Sequence, residues 1–324
     1  MNDGPRMSIV LVTDRYETIR GVVQLLARQT VADQLEVILV ASSSARLEAD
    51  AADVAPFHGH RVVEVADIMP LGLSRAEGVR ATTAPVVTVG ETHALPRADW
   101  AAEILAAFDA GRSVVVPGIT NGNPDGAISW SNLMADYGRW SRAQSAGENG
   151  GAPNYNTSFG RDVIDGVGDR LDDLYSPAFD APRVVREQGR TIWLEPRAVL
   201  YHVNVSRPST WPRERFLSGR VQAAWRARSW SRARRLVYIA ASPLIVPVTL
   251  RRVWPGYRAA RRGEHMPRLT LACLVVGAVF KTAGEVMGFA FGATEAHERA
   301  VDELELHKVR YTRHGVRGLV VDDV

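Results

Sequence analysis

The 324-residue sequence predicts an α/β fold, a doubly wound and mostly parallel sheet with flanking helices, followed by a helical tail. Three observations predict it. Short apolar, β-branched runs alternate with helical patterns as far as Pro117, which is the signature of parallel strands joined by crossover helices. Turn signals then crowd the segment from 118 to 160. Beyond Val205 the chain becomes strongly basic, with long apolar stretches between its arginines.

The elements follow in order. The run MSIVLVT at 7–13 reads as a first strand, and Ile19, Val22, Val23, Leu26 and Ala27 recur at helical spacing after it. A second strand, Leu35 to Val40, completes a strand–helix–strand unit of right-handed crossover. Arg61–Val65, Pro85–Val89 and Ser113–Pro117 are further strands, with helices expected at 71–82 and 98–110. Ligands of doubly wound sheets lie outside the carboxyl ends of the strands. Thr13–Arg15, Ala41–Ser44 and Gly90–His93 are therefore expected to converge on one crevice. From 118 to 160 the Gly, Asn and Pro content is too dense for long elements and suggests a loop-built binding surface. A helix near 176–188 and a strand pair, Thr191–Leu194 and Ala198–Tyr201, carry the chain to His202.

A hydrophobic content of 46% is enough for a core of ordinary size. One cysteine, Cys273, excludes an intramolecular disulfide framework and fits a reducing compartment. The apolar run at the N-terminus is too short for a signal-peptide core and reads as a strand.

The net charge of +3 conceals an asymmetry, because residues 205–262 hold 14 Arg and one Glu. Such a segment seeks anions. Leu217, Val221 and Trp225 recur at helical spacing within it. Two apolar stretches, LVYIAASPLIVPVTL and LTLACLVVGAVFKTAGEVMGFAFG, accompany it. Prolines break the first, and Lys281 and Glu285 interrupt the second, so neither is expected to be a clean membrane span. In-plane or re-entrant insertion suits both, with Arg234, Arg235, Arg251 and Arg252 at the headgroups. Packing on each other or on a second subunit is the alternative. Trp211, Trp225, Trp230 and Trp254 among arginines also suit single-stranded nucleic acid, but the apolar stretches have no use there, so an anionic membrane surface is the expected partner and nucleic acid is disfavoured.

The segments SIVLVTDRYE, EVILVASSS, LGLSRAEGVRATTAPVVTVGETHALPRADW, YNTSFGRDVI and GRTIWLEPRAVLYH fall in an order that resembles family 2 glycosyltransferases, over roughly residues 7–203. The resemblance implies the GT-A fold, a nucleotide-sugar donor and a divalent metal. Gly90-Glu91-Thr92-His93 stands at the family's metal motif, Asp-any-Asp, and is similar to a bacterial branch with Glu-any-His there. Metal ligands implied are Glu91, His93 and, if the last strand returns to the crevice, His202. A carboxylate with two imidazoles suits Mn²⁺ better than Mg²⁺. Donor contacts implied are Thr13, Asp14, Arg15, Ser42, Ser43, Glu91 and Arg75, whose guanidinium can fork onto phosphate. Asn154 and Asn156 are expected either at acceptor hydroxyls or as turn residues.

Two departures accompany the match. Ala41-Ser42-Ser43-Ser44 replaces the acidic pair that follows the family's second strand, and the family's catalytic Glu-Asp pair falls on Pro177 and Ala178. The nearest substitute base is Asp180, with Asp172 or Asp173 behind it. The expected organisation is a GT-A-like domain over 1–205, a membrane-associating region over 206–295 and a tail over 296–324. The expected function is inverting sugar transfer to a membrane-linked or polysaccharide acceptor, at the cytoplasmic face of a bacterial inner membrane, peripheral or monotopic. A lipid-linked acceptor and homo- or hetero-oligomers are further expected partners. The rival is a catalytically silent scaffold that binds a partner enzyme there.

Overall fold

The structure, a computed structural model, describes residues 4–176 and 180–315. Two compact units account for them: one holds the chain up to Thr120 together with Gln144–Tyr201, the other Asn121–Ala143 together with the chain from His202 on.

The first unit is α/β, as the alternation of runs predicts. Its strands are β1 (Met7–Val12), β2 (Leu35–Ala41), β3 (Gly59–Glu64), β4 (Val86–Val89), β5 (Ala94–Pro96), β6 (Val114–Asn121), β7 (Gly147–Asn149), β8 (Ser158–Gly160) and β9 (Ile192–His202). They form one sheet in the order β3-β2-β1-β4-β8-β6-β9-β5, with β7 on β9. Pairing is parallel from β3 through β2 and β1 to β4, and β8 is antiparallel to both β4 and β6. β1, β2 and β4 are buried along their whole length, because both faces are covered and their side chains are apolar apart from Ser8, Glu36 and Thr88.

Helices α1 (Tyr16–Ala27), α2 (Leu71–Arg80) and α3 (Trp100–Asp109) lie where helical spacing was expected. Gly78 lets α2 approach β1 and β2 closely, since a Cβ there would overlap Val10 and Val40. Glu36 of β2, itself buried, accepts hydrogen bonds from Ser8 Oγ (2.6 Å), Thr83 N (2.9 Å) and Thr83 Oγ1 (3.0 Å), and pairs with Arg61 of β3 (2.8 Å). The expected strand pair near 191–201 is one continuous strand of 11 residues. Pro196 lies within it, and the Arg197 N–H that follows donates to the Glu195 carboxylate at 3.2 Å.

The second unit is helical. Its first element, α4 (Ala127–Tyr137), corrects the expectation that 118–160 holds no long element. The helix escapes pattern reading because polar side chains are buried in it beside apolar ones: Ser129, Ser131 and Asn132 are buried with Trp130, Leu133 and Met134. Their polar atoms are satisfied internally. Asn132 donates to Val205 O (2.8 Å) and accepts from Trp211 Nε1 (2.9 Å), and Ser129 donates to Asn121 and Asn123 (2.9 and 2.8 Å).

After α5 (Ala181–Glu187) in the first unit, the tail continues as α6 (Trp211–Arg226), α7 (Arg232–Ala240), α8 (Ile245–Gly263), α9 (Thr270–Phe291) and α10 (Glu295–Leu306). α6 and α9 touch backbone to backbone, at Gly219 against Lys281 and at Gly284 against Phe216. Trp211 is core here rather than an interfacial anchor, and Arg215 is buried against Asp136 and Glu214. Among the described residues α9 is the one helix long and apolar enough to cross a membrane, at 22 residues and a mean hydropathy of 1.5 over its best window, and α7 with α8 passes the same test only as a pair bent by 53°. Lys281 and Glu285 therefore do not disqualify α9 by composition, although Glu285 is buried and pairs with Arg226 at 3.1 Å.

Candidate metal-centred site

The parallel half of the sheet sets up a row of loops at its carboxyl edge. β4 leads through Gly90 to Glu91 and His93. Gly90 packs closely here, since a Cβ would come within 2.9 Å of the Leu11 side-chain end on β1. His202 is the closing residue of β9, so its place in the sheet is set by that strand.

Glu91, His93 and His202 each offer one ligand atom, and those atoms lie within 4.8 Å of one another. All three side chains are buried, at 2%, 1% and 2% exposure. Glu91 Oε2 is 3.8 Å from His93 Nε2. Three buried ligands at such spacing suit one cation, because ligand atoms about 2.1 Å from a common ion stand roughly 3–4 Å apart.

The surroundings orient these ligands. Asn156 donates from Nδ2 to Glu91 Oε2 at 2.5 Å. It sits in the left-handed region, at φ 62°, a conformation Asn tolerates better than most residues, and its N–H bonds Val89 O at 2.8 Å. His202 Nδ1 lies 2.9 Å from Asn204 Oδ1, whose amide is fixed by donation to His202 O (2.9 Å) and Asn121 Oδ1 (3.2 Å). An amide oxygen only accepts, so Nδ1 carries the proton and Nε2 presents the lone pair, the arrangement metal-binding histidines use. The Tyr137 ring packs against the His202 ring, tilted by 47° with centroids 4.4 Å apart.

Thr13 is fully buried and donates to Arg15 O at 2.6 Å; Asp14 accepts from Thr18 (2.7 Å) and Arg15 Nε (2.9 Å). Ser42 is exposed and Ser43 half-buried after β2. Beside them stands a carboxylate that the sequence reading left out. Glu64 closes β3 opposite Ala41 in the parallel register, and both N and Oγ of Ser44 donate to it, which lowers its pKa. The signal was available as an acid near the end of the expected strand Arg61–Val65.

Arg75 is buried, with its guanidinium 3.8 Å above the Tyr155 ring, and Tyr155 stacks on Tyr175 at 6.5 Å. Asn154 donates to Ser176 O (3.2 Å) and so ties two loops together. Asn156 faces the Glu91 carboxylate. Asp180 is exposed and caps α5, accepting from Arg183 N at 3.1 Å. Asp172 pairs with Arg80 at 2.6 Å. Pro177 and Ala178 lie outside the described residues.

No protein-family model matches the chain, and no curated protein does. Solved structures do match. Similar ones include mannosyltransferase PcManGT from Pyrobaculum calidifontis in complex with GDP-Man and Mn²⁺, at 17% identity, 94% coverage of this chain, 88% of that chain and a TM-score of 0.48. Residues 1–349 of S. aureus TarS match at 12% identity, covering 98% of this chain and 95% of that one, with a TM-score of 0.45. The same protein in complex with UDP matches at 13% identity, 92% and 90% coverage and a TM-score of 0.44.

Proposed function

We propose that the chain is a GT-A-type glycosyltransferase of the family 2 kind, moving a sugar with inversion from a nucleotide-sugar donor to a membrane-linked or polysaccharide acceptor. The observation that carries the proposal is the buried Glu91–His93–His202 cluster at the carboxyl edge of the sheet. These three residues would hold a divalent cation, Mn²⁺ ahead of Mg²⁺, and that cation supplies positive charge against the departing diphosphate. The chain's own groups do the rest. Asn156 fixes the Glu91 carboxylate, and Asn204 fixes the His202 tautomer. Thr13, Asp14, Arg15, Ser42 and Ser43 border the nucleoside end, where Glu64 takes the place of the carboxylate missing after β2. Arg75 lies behind Tyr155 on the phosphate side. Asp180 is the proposed base; its Oδ1 is committed to capping α5, which leaves Oδ2 to take a proton.

That engagement of Asp180 favours one rival, a catalytically silent scaffold for a partner enzyme. Incubating the full chain with Mn²⁺ and a panel of nucleotide sugars, and following release of nucleoside diphosphate, separates them. The transferase reading expects hydrolysis of at least one donor, lost in Glu91→Gln. Binding of Mn²⁺ and donor without turnover in any acceptor extract gives the scaffold reading.

We further propose residence at the cytoplasmic face of a bacterial inner membrane. Support comes from exposed Leu236, Val237, Val276, Val279 and Phe291 in the arginine-rich unit. A lipid-linked acceptor is consistent with that placement, and assembly with a like or unlike subunit remains part of the proposal.

A further inference from the structure

The helical unit contains a cavity of about 470 Å³ built by α4, α6, α7, α8 and α9. Its lining is chemically divided. Asp136 and Glu285 are its acids, and each is engaged: Asp136 holds Arg215 through two bonds of 3.0 and 2.7 Å, and Glu285 holds Arg226 at 3.1 Å. Arg252 and Lys281 line the same cavity; the Lys281 charge acts on the Asp136 carboxylate, which Arg215 already pairs, so the five lining cations Arg139, Arg215, Arg226, Arg252 and Lys281 outnumber the two acids. Thr282, also on the wall, buries its hydroxyl without a hydrogen-bond partner. The rest of the wall mixes polar side chains, Ser131, Asn132, Gln222 and Thr249 among them, with apolar ones, of which Tyr238, Leu244 and Val248 are exposed at 39%, 62% and 43%.

From this division we infer that the cavity binds an anionic lipid, its phosphate at Arg252 and Lys281 and its chains along Tyr238, Leu244 and Val248. A cavity whose lining carries more cations than acids selects an oxyanion, and charge-assisted bonds from guanidinium and ammonium are the strong kind. The Thr282 hydroxyl is a buried donor with no protein acceptor, and a phosphate oxygen would accept from it. A free inorganic anion gives no reason for three exposed apolar side chains on the same wall, whereas an amphiphile buries both kinds of surface at once. The volume falls in the ordinary range of small-molecule sites. Every lining residue belongs to the helical unit, so the inference stands independently of the transferase reading.

The test is binding of a water-soluble short-chain phosphatidic acid to the full chain, followed by competition, with vesicles of phosphatidylcholine alone or mixed with phosphatidic acid as a second arm. Arg252→Gln should weaken binding about tenfold, and Arg252→Gln with Lys281→Gln further still. Arg258→Gln with Arg262→Gln removes two charges from exposed positions of α8 outside the cavity and should leave short-chain binding close to wild type. Because Arg252 is exposed, its single substitution keeps the test valid even if the double variant folds poorly. Inorganic phosphate should compete only weakly. Equal loss from the Arg258 and Arg262 pair, full competition by inorganic phosphate, or equal binding to phosphatidylcholine vesicles would each overturn the assignment: the first makes the effect general charge, the second a plain anion site, the third adsorption through apolar surface.

Discussion

Asn156 is where the site's chemistry depends most on one side chain that is not itself a ligand. Its amide holds Glu91 in place from 65 positions away in sequence. Loss of such an outer partner typically costs 10–100-fold in metal affinity. Asn156→Ala should therefore weaken Mn²⁺ binding by about that factor while Glu91 remains, as read by titration of free Mn²⁺ in electron paramagnetic resonance. Glu36 offers a different test. Burial raises its pKa, but hydrogen bonds from Ser8 and Thr83 and the Arg61 charge outweigh this and hold it below the ordinary 4.5. Its stabilisation is thus full above pH 4.5 and lost as pH falls through the lower folded value. Glu36→Gln should cost about 1–3 kcal/mol near neutrality, and its melting temperature should fall less steeply with acid than that of the wild type. Glu91 and His93 were legible in the sequence because they directly follow a buried apolar run. The role of Asn156 was not, since only a left-handed turn brings its amide to Glu91.

At the scale of elements, strands and long helices follow the sequence pattern wherever burial is one-sided or apolar throughout. α1, α2 and α3 and the parallel strands are of this kind. α4 is not, because Ser129, Ser131 and Asn132 are buried, the first two on partners close by in the chain and Asn132 on Val205 and Trp211 far along it. The contact of α6 with α9 rests on glycine rather than on side-chain pattern. Gly284→Val would drive a side chain into the Phe216 backbone, and overpacking of this order costs about 1–3 kcal/mol or more. Thermal unfolding of Gly284→Val should show a lowered transition, whereas Gly263→Ala, whose added carbon would meet only Ala143 at 3.7 Å, should not.

At the scale of the whole molecule, the two compact units do not follow the three regions expected from the sequence: the second unit begins again at His202 rather than after Val205 and includes the last helix. Residues Asn121–Ala143 belong with the tail. Asn123 donates to Asn204 O at 2.8 Å and Asn132 to Val205 O, so a chain cut at Val205 would strip α4 of Trp211 and the helices it packs on. Membrane association is better tested in the full chain. Leu236→Ser with Val237→Ser removes two exposed apolar side chains from α7, and co-flotation with anionic vesicles should fall about tenfold or more. Unchanged flotation would remove the exposed face of α7 from the account. The charge asymmetry was plain in composition. That Trp211 and Arg215 are spent inside the unit was not, because composition carries no information on which arginines find a carboxylate.

The central claim is that Glu91, His93 and His202 share one cation. Mn²⁺ titration of the wild type, Glu91→Gln and His202→Ala by electron paramagnetic resonance addresses it without any substrate. The account predicts a single saturable site in the wild type, weakened about a hundredfold or more in either variant. Saturable binding that survives both substitutions, or no binding in the wild type, would contradict it.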